Sequence, residues 1–275
     1  QKAEGIKRIG VLRADVDNLG QTFVAGFAGK YATLSRTAAL SRQLSIFFKY
    51  YIRSILKNGE YHIDGEKKLT ERNATIVYSG GDDVFIVGAW NEVIELSIDL
   101  QEKFKKYTQG TLSISSGIGI YECTYPIGAI ANETGEMEAE SKRMPEKDSV
   151  TLMDDGETHL INELEICDGT YRWEELYKSV LGEKYDVIQD FLGESDERGM
   201  SFLYRMLELI RNQKEKINFA RFVYLLSRLE PDKEGEKKEK YRKFSRKMYQ
   251  WVQSEKDCRE LKTAINLYAY MHREK

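Results

Sequence analysis

The strongest constraint on the fold is a hydrophobic period that switches between strand and helix over the first 153 residues and then stays helical. Residues 6–16, IKRIGVLRADV, read as a strand that becomes buried toward its end. Residues 35–57 place Leu40, Leu44, Phe47, Phe48, Tyr51 and Ile55 on one helical face, with Ser35 as the expected N-cap. Residues 78–90, YSGGDDVFIVGAW, read as part of a β-hairpin: strand 75–78, a glycine turn that supplies φ > 0, strand 84–87. A second helix covers 91–107, with Asn91 as cap and Val93, Ile94, Leu96, Leu100 and Phe104 as its apolar stripe. Residues 112–120, LSISSGIGI, make a further strand, 127–143 a helix and 150–153 a short closing strand. The order β-α-β-β-α-β, with an extra helix and strand, is the split βαβ, ferredoxin-like arrangement.

From about residue 160 the strand patterns stop. Residues 172–192, 199–229 and 236–272 are long amphipathic patterns, and LEPDKEGEKKEK at 229–240 marks the loop between the last two helices. The expected fold class is α+β: a ferredoxin-like domain over 1–155, then an all-α helical bundle over 156–275. Residues 236–275 hold 12 Lys and Arg against 6 Asp and Glu. They form either a solvated helix face or a surface turned toward RNA or an RNA-bound neighbour.

Composition narrows the classes. The chain has 275 residues, 41% hydrophobic and 32% charged, which suits a globular protein with real cores. A net charge of −3 argues neither for nor against nucleic acid. No apolar run reaches the length of a membrane span, and the N-terminus lacks a signal-peptide pattern. Cys123, Cys167 and Cys258 are odd in number and far apart, which fits a reducing cytoplasm without a disulfide framework. Without a CxxC, a structural zinc site is not expected. His62, His159 and His272 lie near neither one another nor an adjacent Asp, so no His-Asp pair, histidine-based metal nuclease or triad is expected either. The chain begins at Gln1 without a methionine and reads as a piece of a larger protein.

The chemistry concentrates in aspartates. Asp82 and Asp83 stand where a strand should bury itself, although Asp is depleted in strands and neighbouring carboxylates repel. Alone, the hairpin is ambiguous, since an exposed turn tolerates two solvated acids. A second acidic site, RADVDNLG, ends the first strand with Asp15 and Asp17 flanking Val16. In a split βαβ sheet the first strand is central, so Asp15, Asp82 and Asp83 converge at one edge. Three carboxylates in one cleft call for a cation. Hard divalent ions such as magnesium take oxygen ligands and complete their shell with water and phosphate, and a pair of them clamps phosphoryl transfer. Gly80 and Gly81, lacking Cβ, let a polyphosphate or ribose approach the backbone. The turn DNLG after the first strand offers backbone amides to phosphate oxygens. Lys142, Arg143 and Lys147 either cover a triphosphate or serve as cations at a helix C-terminus. Ser115 and Ser116 read as packing residues.

These motifs together, RADVDNLG, TLSR and LSRQLSIFF, YSGGDDVFIVGAW, SSGIGI, and YPIGAIANETGEMEAESKR, resemble a known family. It is the GGDD-bearing palm domain of the large subunit of type III CRISPR effector complexes, more closely the III-A, or Csm-type, branch. That palm is related to GGDEF diguanylate cyclases and polymerase palms. The resemblance covers residues 6–153, and the remainder suits that subunit's C-terminal helical domain. It implies a nucleotidyltransferase of antiviral defence that converts ATP to cyclic oligoadenylate when the complex binds target RNA. It implies magnesium or manganese held by Asp15, Val16, Asp82 and Asp83, with Asp15, Asp82 and Asp83 as the catalytic residues. Asn18, Leu19, Gly20, Ser79, Gly80, Gly81, Lys142, Arg143 and Lys147 would hold the nucleotide. The implied partners are ATP, the other effector subunits, guide and target RNA through the complex, and the subunit's first palm domain; no membrane is implied. The family's first palm and HD nuclease are absent from this chain, so it is expected to carry half of a composite site. Two further readings stay open: a diguanylate-cyclase-like enzyme, and a silent scaffold that docks small subunits.

Overall fold

A computed structural model of the chain describes residues 3–27, 29–65, 68–154, 156–193, 198–211, 216–232 and 235–273. The chain divides into two compact units, Gln1–Trp173 and Glu174–Lys275.

The first unit is built on a six-stranded sheet in the order β2-β3-β1-β4-β5-β8. Its strands are β1 (Ile9–Val16), β2 (Ala74–Gly80), β3 (Asp83–Ala89), β4 (Ile114–Tyr121), β5 (Ser149–Leu152) and β8 (Thr170–Arg172). The strands β6 (Thr158–Ile161) and β7 (Leu164–Cys167) form a separate hairpin. β1 lies between β3 and β4, antiparallel to both, so the first strand is central as the pattern requires. Helices are α1 (Leu19–Ala25), α2 (Leu34–Ile46), α3 (Ile52–Lys57), α4 (Trp90–Tyr107) and α5 (Ile127–Ser141), with wide π-helical turns at Phe47–Tyr51 joining α2 to α3. The two faces of the sheet are covered by different helices. A Cβ on Gly10 would meet Trp90 Cα at 2.7 Å, which puts α4 on one face. A Cβ on Gly117 would meet Thr134 O and Glu138 N at 2.5 Å, which puts α5 on the other. Leu12, Ala14, Val84 and Ile86 are buried, as are Val93, Ile94 and Leu96 of α4.

Residues 58–65 and 68–73 are tied to α4 by a buried charge cluster. Arg72, with its side chain 1% exposed, pairs with Glu95 and with Asp99 at 2.8 Å. Asp99 also accepts from the Tyr61 amide at 2.9 Å, and Glu95 from the Ile63 amide at 3.0 Å. Burial pushes the Glu95 carboxyl up to about 7, against the Ile63 amide and the Arg72 charge.

Several sequence expectations are corrected. The N-cap of α2 is Thr33, whose hydroxyl accepts from Arg36 N, not Ser35. α4 starts at Trp90 after Ala89, and Asn91 is buried within its first turn rather than capping it. Strands do not stop near residue 160: β6, β7 and β8 follow, too short for a period-2 signal to stand out. β8 pairs with β5, so the unit ends at Trp173 rather than at residue 155.

The second unit is helical. It runs from α6 (Trp173–Glu175), which straddles the division, through π-helical turns at Leu176–Tyr185 into α7 (Asp186–Leu192). α8 (Arg198–Arg211), α9 (Lys216–Ser227), α10 (Glu236–Trp251) and α11 (Glu255–His272) follow. The single pattern over 199–229 is thus two helices, with 212–215 outside the described residues, and 236–272 is also two. Leu203, Met206, Leu226, Phe244, Met248, Leu261 and Ile265 are buried. Lys184 is buried with them, paired with Glu260 and with Asp257 at 2.9 Å.

Candidate functional site

The backbone alone brings the three acids together. Asp15, at the end of β1, lies directly opposite Asp83, the first residue of β3. Directly opposed residues of antiparallel strands share a face, with Cβ atoms about 5 Å apart. β2 and β3 close on a two-residue turn, Gly81-Asp82, flanked by the pair Gly80 and Asp83. Of the two glycines only Gly81 has positive φ, at 69°. Gly80 is the last paired residue of β2, so the hairpin is tighter than a Gly-Gly turn. The Val16 amide donates to Asp82 O at 3.1 Å and fastens the turn to β1.

Electrostatics record the crowding. Burial raises the Asp82 carboxyl above the usual range, and the charges of Asp15 and Asp83 raise it further. The Tyr78 hydroxyl is raised by the Asp83 charge, by burial and by its hydrogen bond to Asp83. One cation answers these acids. Lys142, the C-cap of α5, sets its ammonium against Asp15 and 2.8 Å from Glu138 Oε1. Burial works against the Lys142 charge, but hydrogen bonds to Asp15 and Glu138 outweigh it and raise its pKa.

The remaining candidates part company. Lys147 Nζ donates to Asn18 Oδ1 at 2.7 Å, which holds the residue that precedes α1. Leu19 and Gly20 open α1, and a Cβ on Gly20 would meet nothing within 4 Å. Arg143 turns away to Glu140 at 2.6 Å and to the Glu165 carbonyl at 2.7 Å. Ser79 donates to the Phe48 carbonyl at 2.5 Å, on the α2 side of the sheet, and not toward the acids. Both were expected at the nucleotide; the structure commits them elsewhere. His159 and Asp168 meet at 3.3 Å beside the β6–β7 hairpin, a His-Asp pair that sequence adjacency did not reveal.

Two residues escaped sequence reasoning. Arg13 lies two residues before Asp15 on the same face, with Nε 2.8 Å from Glu138 Oε2. Glu138 therefore joins Arg13 and Lys142. The only sequence signal was the i, i+4 spacing of Glu138 and Lys142. Asp17 is an anchor: its Oδ2 accepts from Ser113 Oγ at 2.7 Å and from the Asp148 amide at 3.1 Å. Ser115 and Ser116 are buried, as expected of packing residues.

Among the described residues no three His, Cys, Asp or Glu side chains already form a group that could hold a metal ion. The donor chemistry nevertheless fits a hard divalent cation, because the converging groups are carboxylates, and the charges of Asp15 and Asp83 add to burial in raising Asp82. Magnesium commonly uses only one or two carboxylates and completes its shell with phosphate and water. No described helix is long and apolar enough to cross a membrane.

A split βαβ sheet with acids on its central strand and at the adjacent hairpin mouth defines a palm domain. Residues 8–151 match the sequence profile of the Cas10/Cmr2 second palm domain. Residues 189–274 match that of the second helical domain of the CRISPR RNA silencing complex Cmr2 subunit. The chain belongs to the Cas10/Cmr2 family. Its relatives include the type III-A proteins named CRISPR system single-strand-specific deoxyribonuclease Cas10/Csm1. The one from Mycobacterium tuberculosis is 43% identical over 99% of this chain and 33% of its own length. The one from Streptococcus thermophilus is 38% identical over 97% of the chain and 33% of its length. The chain thus spans about a third of the curated relatives it matches. A Csm1–Csm4 cassette in complex with pppApApA superposes with a TM-score of 0.74 at 25% identity, over 99% of this chain and 38% of its own. A Csm1–Csm4 cassette in complex with one ATP gives 0.65 at 26% identity, over 96% and 37%.

Proposed function

We propose that this chain is the second palm and helical part of a type III-A effector large subunit, and that its palm supplies half of an ATP-polymerising site. The observation that carries this reading is the mouth itself, where Asp15 opposes Asp83 and the Asp82 carboxyl is raised beside both. The relatives crystallised with ATP and with pppApApA, a linear adenylate trimer, support adenine nucleotides as substrate and product class.

The 3′-hydroxyl of one ATP attacks the α-phosphate of the next and pyrophosphate leaves; the growing oligoadenylate closes when its terminal 3′-hydroxyl attacks its own 5′ α-phosphate, releasing a further pyrophosphate. A bound magnesium or manganese ion would activate the hydroxyl and neutralise the phosphate charge. Asp15, Asp82 and Asp83, with the Val16 carbonyl, would hold it. Lys142 and Lys147 would meet the phosphates, with Gly80 and Gly81 at the hairpin mouth beside them; a Cβ on Gly81 would meet nothing within 4 Å. Positioning is a large part of phosphoryl-transfer catalysis. Donor and acceptor ATP therefore need the subunit's first palm as the opposing wall, and this chain alone should turn over ATP slowly or not at all.

In this reading the helical unit docks neighbouring effector subunits near guide and target RNA, in the cytoplasm. Part of its basic surplus serves its own fold, since Lys247 pairs with Glu183 at 2.6 Å and Arg259 with Glu175 at 3.2 Å. The deciding experiment is turnover of radiolabelled ATP by the reassembled complex with and without target RNA. Product should appear only with target RNA, and Asp82→Ala with Asp83→Ala should abolish it. Unchanged synthesis by that double variant would make the palm a silent scaffold, and preference for GTP would favour the diguanylate-cyclase reading.

A further inference from the structure

Lys142 stands between two carboxylates that differ in what else they hold. On one side is Asp15, its side chain 24% exposed and near Asp82 and Asp83. On the other is Glu138, which is 8% exposed and fixed through its second oxygen by Arg13 at 2.8 Å. The Lys142 side chain is 25% exposed and rides on a flexible four-carbon stem. Its ammonium contacts both carboxylates at once. In the function proposed above, Asp15 is a metal ligand, so a divalent cation and the ammonium contend for the same carboxylate.

We propose that Lys142 is the built-in counter-ion of the acidic mouth, and that a divalent cation displaces it from Asp15 onto Glu138. This rests on Asp15 being a metal ligand. Before metal arrives, the ammonium screens three acids that otherwise repel. Once displaced, it is not released to solvent, because Glu138 already holds it at 2.8 Å. It stays beside the mouth as a cation for an incoming polyphosphate. Metal therefore binds more weakly than the three acids alone would allow, and the site changes one cation for another rather than opening as a bare acidic cleft.

The test is Mn2+ binding to the 275-residue chain without nucleotide, read by the electron paramagnetic resonance signal of free Mn2+. Lys142→Met should bind about three- to tenfold more tightly than the parent, and Mn2+ should raise its melting temperature by more. Lys142→Arg keeps the charge and should bind no more tightly than the parent. Arg8→Met removes a charge paired with Glu122 at the other end of β1 and controls for net charge. It should leave the affinity at the parent's value. If Lys142→Met does not fold by circular dichroism, Lys142→Gln takes its place. An affinity that depends on Asp15 but is the same in Lys142→Met, or rises equally in Arg8→Met, overturns the proposal alone. Failure of the parent to bind Mn2+, or binding that survives Asp15→Asn, sinks the metal reading and the proposal with it.

Discussion

At the mouth of the β2–β3 hairpin three carboxylates gather beside the half-buried Lys142 ammonium, whereas on α4 Glu95 and Asp99 close around the buried Arg72 guanidinium. Both clusters put acids where burial penalises them. In the second the chain supplies the counter-charge, and backbone amides of residues 60, 61 and 63 fill remaining acceptor positions on Asp99 and Glu95. In the first, Lys142 stands against Asp15, and burial with the charges of Asp15 and Asp83 raises Asp82; the difference lies in the backbone amides that fill acceptor positions in the second. A cluster whose acceptors are filled by a guanidinium and backbone amides is architecture, tying the residues around Tyr61, Ile63 and Arg72 to α4. In the proposed function, the crowded acids at the mouth take a cation brought from outside.

The largest effect that could break this contrast is on stability. Arg72→Met leaves Glu95 and Asp99 buried without their partner and should cost about 3–5 kcal/mol, read from urea unfolding. The mouth should behave in the opposite way. Asp82→Ala with Asp83→Ala relieves repulsion at a turn with little core, so its unfolding free energy should stay within about 1 kcal/mol of the parent without metal. Similar losses at both clusters would erase the distinction.

A smaller effect concerns pH. The folded Glu95 carboxyl, at about 7, lies above its unfolded value. Its contribution is therefore fully present below the ordinary carboxylate range and is lost as pH rises through about 7, a change on the order of 3 kcal/mol. Melting temperatures between pH 5 and 8.5 should fall toward the alkaline end, and Glu95→Gln should flatten that slope. A parent profile that rises through this window would show that Arg72 holds Glu95 ionised throughout.

The smallest effect leaves stability unchanged and compares the two units. Cys123 is exposed in the palm, while the buried Cys258 thiol of the helical unit is pushed up to about 12. In the native chain at pH 8 an alkylating reagent should therefore modify Cys123 and spare Cys258. Mass spectrometry of the digested protein would show it, and equal labelling would mean that the helical unit opens readily.

Periodicity determined much of this protein by itself. The switch between strand and helix patterns over residues 6–153 fixes the split βαβ order, which makes β1 central and so sets Asp15 against Asp83. That inference works because strand pairing follows from which faces are apolar, a property written locally. The turn was nearly legible too: the strands run two residues further on the β2 side and begin one residue earlier on the β3 side, because Gly80 pairs with Asp83. Other features were decided only by the tertiary structure. Lys142 lies 127 residues from Asp15, and Arg72 lies 27 residues from Asp99. Arg143 and Ser79, chemically eligible for the site, are drawn off by Glu140 and the Phe48 carbonyl. β6, β7 and β8 span only three or four residues each, and β8 joins the sheet through its pairing with β5. A long polar side chain carries no period, and its partner is whichever group the folded backbone brings within its reach.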